Sequence, residues 1–280
     1  EYTAGLTQTL HNLAKTEDPD RYTVSVNGYG HAEHPVNQNA DIQGMNRYFG
    51  WYEKKLQDIE PWVKGLEEKY PWQKLMLTEY GADANLDHQT EYLGDALNWG
   101  KSFYPETFQH KTHDYQWSVI AKHPYIIASY LWNMFDFGVP MWSRGGVPAR
   151  NLKGLITFDR KIKKDSYYWY KANWSKDPVL YLTQRRNIDR ERKHTSVPVY
   201  SNIGTPQVYL NGKELTGIRQ GYTDVHYVLA DVTLEQGKNT IKTVATYNGK
   251  EYTDEIEWNY TGEKKRSADW SENKEEHAGW

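Results

Sequence analysis

Four short apolar runs alternate with helical stretches over the first 177 residues, and each run closes on polar and aromatic side chains. The runs are "YTVSVNG" (22–28), "DIQGMNRYFGWY" (41–52), Lys74 to Thr78 within "WQKLMLTEYGADAN" (72–85), and "YIIASYLWNMFDF" (125–137). Between them, Leu6, Leu10 and Leu13 fall on one face of a helix over 3–15, and Leu56, Ile59, Val63 and Leu66 on one face of a second. Helical sequence follows the third run to about residue 122, with Tyr115, Val119 and Ile120 on its expected buried side. Pro19, Pro71 and Pro124 bound these helices, because proline cannot continue one. A Gly/Pro-rich loop is expected over 138–150, and Ser166 to Trp174 form a closing helix. Strands alternating with helices predict βα units and a parallel sheet. A (β/α)8 barrel keeps its active site at the C-terminal ends of its strands, where these runs carry their polar residues. Four strands make half of such a barrel.

After Pro178 the pattern changes. Short alternating runs appear at 196–200, 206–215, 224–230 and 239–260, and Asn211-Gly212 and Asn248-Gly249 supply the strongest short hairpin signal. Strands at this spacing predict an immunoglobulin-like β-sandwich. The chain therefore divides into 1–177, half of an α/β barrel, 178–262, an all-β sandwich, and 263–280, a charged tail or linker without periodicity.

Composition narrows the chemistry. A formal net charge of −3 argues against a nucleic-acid binder. The absence of cysteine excludes disulfides and thiolate metal sites. No run of 18 apolar residues is present to span a membrane. The chain holds 12 Trp and 23 Tyr against 6 Phe, and these rings combine a flat apolar face with a polar handle that suits a sugar. A large core rich in Trp and Tyr would give the same composition.

Glu79 stands where the third strand ends, with Asp83 close behind. A carboxylate there can attack an anomeric carbon, and retaining glycosidases pair it with a second carboxyl group about 5–5.5 Å away. A solvated loop acid would look the same in sequence. Tyr48 and Asn46 end the preceding strand, where a Tyr hydroxyl can hold the nucleophile ionised and oriented; alone, such a Tyr reads equally as core. Trp132 ends the fourth strand as a possible stacking floor, and Asn133 and Asp136 either bond sugar hydroxyls or cap a loop. His31 and His34 are spaced H-x-x-H, a weak metal signal without a helix, so neither a metal nor a cofactor is expected.

Four motifs in order, "NRYFGWY" (46–52), "LTEYGAD" (77–83), "LWNMFDF" (131–137) and "NLKGLITFDRKIKKDSYYWYKANW" (151–174), resemble glycoside hydrolase family 2, the β-galactosidase and β-glucuronidase family. The resemblance implies a retaining exo-β-glycosidase with Glu79 as nucleophile at the end of strand seven. It implies that Tyr48 orients Glu79 and that Asn46, Trp132, Asn151 and Lys153 meet the sugar. In glucuronidases that Asn and Lys meet the sugar carboxylate, but galactosidase-like members can also carry Asn-x-Lys-Gly. The four strands then count as five to eight. The family's acid/base glutamate belongs at the end of strand four, so it is Glu1 or lies upstream. The expectation is the C-terminal half of a β-galactosidase-like enzyme whose partners are a carbohydrate substrate and the missing N-terminal half of its parent chain. Such a piece would be inactive alone and leave two sheet edges open. The resemblance also suggests a periplasmic or secreted location. A non-catalytic carbohydrate-binding or scaffold protein, or a degenerate gene product, remains an alternative.

Overall fold

The structure, a computed structural model, describes residues 2–28, 31–94 and 102–263. Glu1 and residues 264–280 of the expected tail lie outside the described residues. The chain forms two compact units, one built from 2–82 and 115–132, the other from 83–94, 102–114 and 133 onward.

The first unit is a four-stranded sheet in the order β1 (Val24–Asn27), β2 (Ile42–Asn46), β3 (Lys74–Tyr80), β4 (Ile126–Leu131). All three pairings are parallel, the half-barrel sheet that the βα alternation predicts. Met45, Leu75 and Leu77 are buried in it, as are Ile59, Val63 and Leu66 of helix α2 (Ile59–Lys69). Close packing of β2 requires its glycine: a Cβ on Gly44 would stand 2.9 Å from Thr78 Cγ2 and 3.0 Å from Val26 Cγ2. Helix α1 (Tyr2–Glu17) forms over the expected stretch, yet buries nothing. Its face of Leu6, Leu10 and Leu13 is exposed, as are Val24 and Val26 of β1, an outer strand of this sheet.

Three expectations need correction. The second and fourth strands stop at Asn46 and Leu131, earlier than the apolar runs, because the backbone turns as the aromatic residues begin. Helix α3 starts only at Glu106 and runs to Lys122; residues 83–94 are not helical, and 95–101 lie outside the described residues. Tyr115 is only half-buried, whereas His113, Asp114 and Gln116 are buried, so this helix has a polar interior side that an apolar periodicity cannot reveal.

In the second unit, the expected loop at 138–150 is an antiparallel hairpin, β5 (Phe137–Arg144) with β6 (Val147–Asn151). Gly145 and Gly146 make its turn at φ 61° and 74°, the left-handed region open to glycine. The glycines therefore shape a turn between two strands. Helix α4 (Asp165–Trp174) follows as expected.

Nine strands complete the unit: β7 (Leu180–Leu182), β8 (Asp189–Arg190), β9 (His194–Ser201), β10 (Gln207–Leu210), β11 (Lys213–Leu215), β12 (Arg219–Gln220), β13 (His226–Thr233), β14 (Gly237–Tyr247) and β15 (Lys250–Tyr260). They form a five-stranded sheet, β11-β10-β14-β15-β8, and a four-stranded one, β12-β13-β9-β7. Both Asn-Gly pairs sit at positive φ between paired strands, the backbone that a tight hairpin twist requires. Val197, Val199, Leu229, Ile241, Ile256 and Trp258 are the centre of a shared apolar core.

Buried polar groups stitch this unit together. Arg186 donates to both oxygens of Glu106 and to Asp165 Oδ1, which also accepts from Tyr181 Oη at 2.7 Å. In helix α3 His113 Nδ1 lies 2.8 Å from Tyr170 Oη. Burial pushes the His113 imidazole down to about 3. The unfolded chain takes up a proton at His113 from about pH 6.5 downward, while the folded one stays neutral until about pH 3. His113 therefore favours the native state fully above pH 6.5, and that contribution is lost as pH falls toward 3, at about 1.4 kcal/mol per pH unit. Urea titrations at pH 7 and 4.5 should show the stability gap between the two pH values shrinking in His113→Leu. An unchanged gap would mean that His113 titrates normally.

Candidate active site

The C-terminal ends of β2 and β3 are pinned to each other. Arg47 N donates to Glu79 O at 2.8 Å, and Asn46 stands opposite Glu79 after an irregularity in the register. Thr78 Oγ1 donates to Asn46 Oδ1 at 2.7 Å. Beyond β2 the chain folds back on itself: Trp51 N, Tyr52 N and Glu53 N all donate to Tyr48 O, and Gly50 turns at φ 79°. Phe49 and Trp51 anchor this turn, each 1 % exposed. Glu53 accepts from Tyr48 N at 3.0 Å. Its carboxylate also pairs with Arg47 at 3.7 Å, and the Arg47 guanidinium lies over Trp62.

This scaffold fixes a single aromatic hydroxyl. Tyr48 is buried, and its Oη donates to Glu79 Oε2 at 2.6 Å, in the range of a charge-assisted O–H···O bond. Glu79 itself is half-buried, with Oε2 held by Tyr48. Trp132 directly follows β4, and its N donates to Tyr80 O at 2.8 Å, tying that ring's backbone to the residue after Glu79. Tyr48, Asn46, Glu79 and Trp132 thus all stand on strand ends of one parallel sheet.

Asn151 and Lys153 belong to the second unit and are buried. Asn151 Oδ1 accepts from Lys153 N at 2.9 Å. Lys153 Nζ donates to Asp83 Oδ2 at 2.5 Å, and Asp83 Oδ1 accepts from Leu152 N at 3.0 Å. Asp83 is therefore a partner for the Asn-x-Lys-Gly turn. Gly154 is obligatory there, since a Cβ would meet Asp136 N at 2.0 Å and Phe135 C at 2.3 Å.

Lys164 carries no signal in the sequence, lying in the charged run "RKIKKD", yet it is fully buried. Its Nζ donates to Ala84 O, Leu152 O and Asp136 Oδ1, each at 2.9 Å. Burial lowers the Lys164 ammonium and raises the Asp136 carboxyl, each partner opposing the shift in the other. Asp136 thus holds a buried ammonium and the Gly154 N–H. Asn133 Oδ1 accepts from the next backbone N–H, of Met134. His34 Nδ1 accepts from Val36 N at the start of a short 3-10 turn (Pro35–Asn37). Among the described residues no three His, Asp or Glu side chains converge as a metal site would require.

No family model matches the chain. A β-glucuronidase of Bacteroides fragilis is 34 % identical over 254 residues, 90 % of this chain and 35 % of that protein. The crystal structure of a "putative beta-galactosidase" from the same species superposes with a TM-score of 0.93 at 80 % identity, covering 96 % of this chain and 40 % of the other. The chain's relatives are the β-glucuronidases and β-galactosidases of glycoside hydrolase family 2. A further neighbour is Bacteroides uniformis β-glucuronidase 2 covalently bound to cyclophellitol-6-carboxylate aziridine, at TM-score 0.73 and 25 % identity, covering 93 % of this chain and 31 % of that one. The chain spans about a third of the length of the curated relatives it matches. No described helix is long and apolar enough to cross a membrane.

Proposed function

We propose that this chain is the nucleophile-bearing half of a retaining exo-β-glycosidase, β-galactosidase-like, acting on terminal β-linked sugars. In this reading residues 1–177 are strands five to eight of a (β/α)8 barrel and 178–262 an immunoglobulin-like sandwich. The hydrogen bond from Tyr48 Oη to Glu79 Oε2 carries the reading, because it orients a half-exposed carboxylate at a parallel strand end. Glu79 attacks the anomeric carbon as the bond to the leaving oxygen breaks, and a second carboxyl group protonates that oxygen. The same group, now a base, then activates water to release the sugar from Glu79. Asn46, Trp132, Asn151 and Lys153 contact the sugar, Trp132 by stacking.

The covalent aziridine complex of the Bacteroides uniformis relative supports the retaining route and suggests the test. The parent-length protein, treated with galacto- and glucurono-configured cyclophellitol aziridines, should gain one label, on the peptide containing Glu79. The preferred configuration would identify the sugar. Label on another residue, or none from either reagent, would overturn the assignment. Tyr48→Phe should reduce kcat about 10²-fold, the size of losing one transition-state hydrogen-bond donor, while labelling still maps to Glu79. Unchanged kcat would remove Tyr48 from the machinery.

A further inference from the structure

The hairpin β5–β6 and the loop at 157–163 carry a dense set of cations laid on aromatic rings. The Arg150 guanidinium lies 3.5 Å from the centre of the Phe158 ring, Arg144 4.2 Å from Trp142, and Arg160 3.9 Å from Phe135. The Lys163 ammonium is 5.0 Å from Tyr167. Between 134 and 163 the sequence holds Arg144, Arg150, Lys153, Arg160, Lys161 and Lys163 against Asp136 and Asp159 alone, in a chain of net charge −3. Lys153 and Asp136 are buried, so the exposed balance of this stretch is strongly positive. Met141 of β5 is 90 % exposed, and Phe158 and Ile162 are exposed as well.

Among the described residues Arg150, Arg160 and Lys163 have no carboxylate partner. Arg160 donates to the Asp136 and Phe158 carbonyls, and Lys161 stands 3.8 Å from Asp159. The side chains of Arg150 and Lys163 have neither an ion pair nor a hydrogen bond among the described residues. Their contacts are rings, which hold the side chain in place without neutralising its charge. A preordered guanidinium loses little freedom on binding and matches a carboxylate or sulfate with two parallel N–H bonds. Exposed aromatic and apolar surface alongside suits the C–H faces of sugar rings.

The patch also adjoins residues of the site. Arg150 directly precedes Asn151, and Lys153 Nζ is 5.8 Å from the Trp142 ring that Arg144 covers. We infer that this face binds an anionic glycan, with Arg150 and Lys163 meeting its carboxylate or sulfate groups and the neighbouring rings its sugar faces. The inference deepens the glycosidase reading by naming the substrate class: a glycan charged beyond the sugar that is cleaved.

Affinity electrophoresis of the full chain tests it, through gels containing polygalacturonate, chondroitin sulfate or neutral dextran. Retardation is expected in the two charged gels, absent in dextran, and lost on raising the salt. Arg150→Gln and Lys163→Ala, both at exposed or half-exposed positions, should each weaken retardation several-fold and together about tenfold. A control pair on the sandwich, Lys213→Ala with Arg219→Ala, should change it little. Thermal melting checks that all variants fold; should the double variant not fold, the two single variants decide. Equal retardation of wild type and folded variants would overturn the proposal, as would equal losses in the control pair or binding to anionic lipid vesicles but to neither glycan. Glu79→Gln should bind normally, so failure of the catalytic reading and failure of this one give different results.

Discussion

Glu79→Gln, in a polypeptide long enough to turn over substrate, should lower kcat roughly 10⁴-fold or more, the scale seen when a covalent nucleophile is removed. The amide is nearly isosteric with the carboxylate but cannot attack the anomeric carbon, so no glycosyl-enzyme intermediate can form. Tyr48 Oη can still donate to the amide oxygen at the position where it now meets Oε2 at 2.6 Å, which keeps the turn at 48–53 in place. Sugar affinity and melting temperature should therefore stay near wild type while turnover and aziridine labelling vanish together. Steady-state kinetics with an aryl glycoside and intact mass after labelling read both quantities. Residual activity above about a hundredth of wild type would mean that another group forms the covalent bond. The non-catalytic carbohydrate-binding alternative makes the opposite claim: neither wild type nor variant turns over at any length, and both bind sugar.

The second large effect concerns stability. Lys164→Ala should destabilise the folded chain by about 3–5 kcal/mol, because it strips the partner from a buried charge. Asp136 would keep the Gly154 N–H but lose its ammonium, and the Ala84 and Leu152 carbonyls would lose a shared donor. Burial already pushes the Asp136 carboxyl up, so in the variant it is expected to take a proton and remain neutral. Asp136→Asn with Lys164→Met should cost less than the two single changes added, since neither then leaves an unpaired charge. Urea unfolding of wild type, Lys164→Ala, Asp136→Asn, Lys164→Met and the double variant gives the comparison. Additive costs, or a loss below about 1 kcal/mol for Lys164→Ala, would show that water reaches the pair and carries its charge. The Asn-x-Lys-Gly turn depends on this node through Leu152 and Gly154, so Lys164→Ala should also impair whatever Asn151 and Lys153 bind.

Some of this was legible in the residues. Period-3.6 leucines and isoleucines placed α2, and α1 formed where its leucines predicted, because local hydrogen bonding needs only the nearby chain. Both Asn-Gly turns and the carboxylate at the end of β3 were equally readable, being properties of a few consecutive positions. The burial of α1's leucines was not: whether an apolar stripe is covered depends on what packs against it, and here Leu6, Leu10 and Leu13 face outward. The hairpin at 137–151 also escaped, since Gly145-Gly146 and two prolines read as loop. Tyr104, some forty residues away in sequence, packs where a Cβ on Gly145 would stand, a closeness that local sequence does not reveal.

The sequence alone supplied the residues proposed for the site and their order along the chain: Asn46 and Tyr48, then Glu79, Trp132, Asn151 and Lys153. Only the tertiary structure decided their partners. It joined Tyr48 to Glu79 across 31 residues and Lys153 to Asp83 across 70, and it withdrew Lys164 from solvent entirely. The physical reason is that a charge or hydroxyl takes its role from its environment, and that environment is assembled from residues distant in sequence.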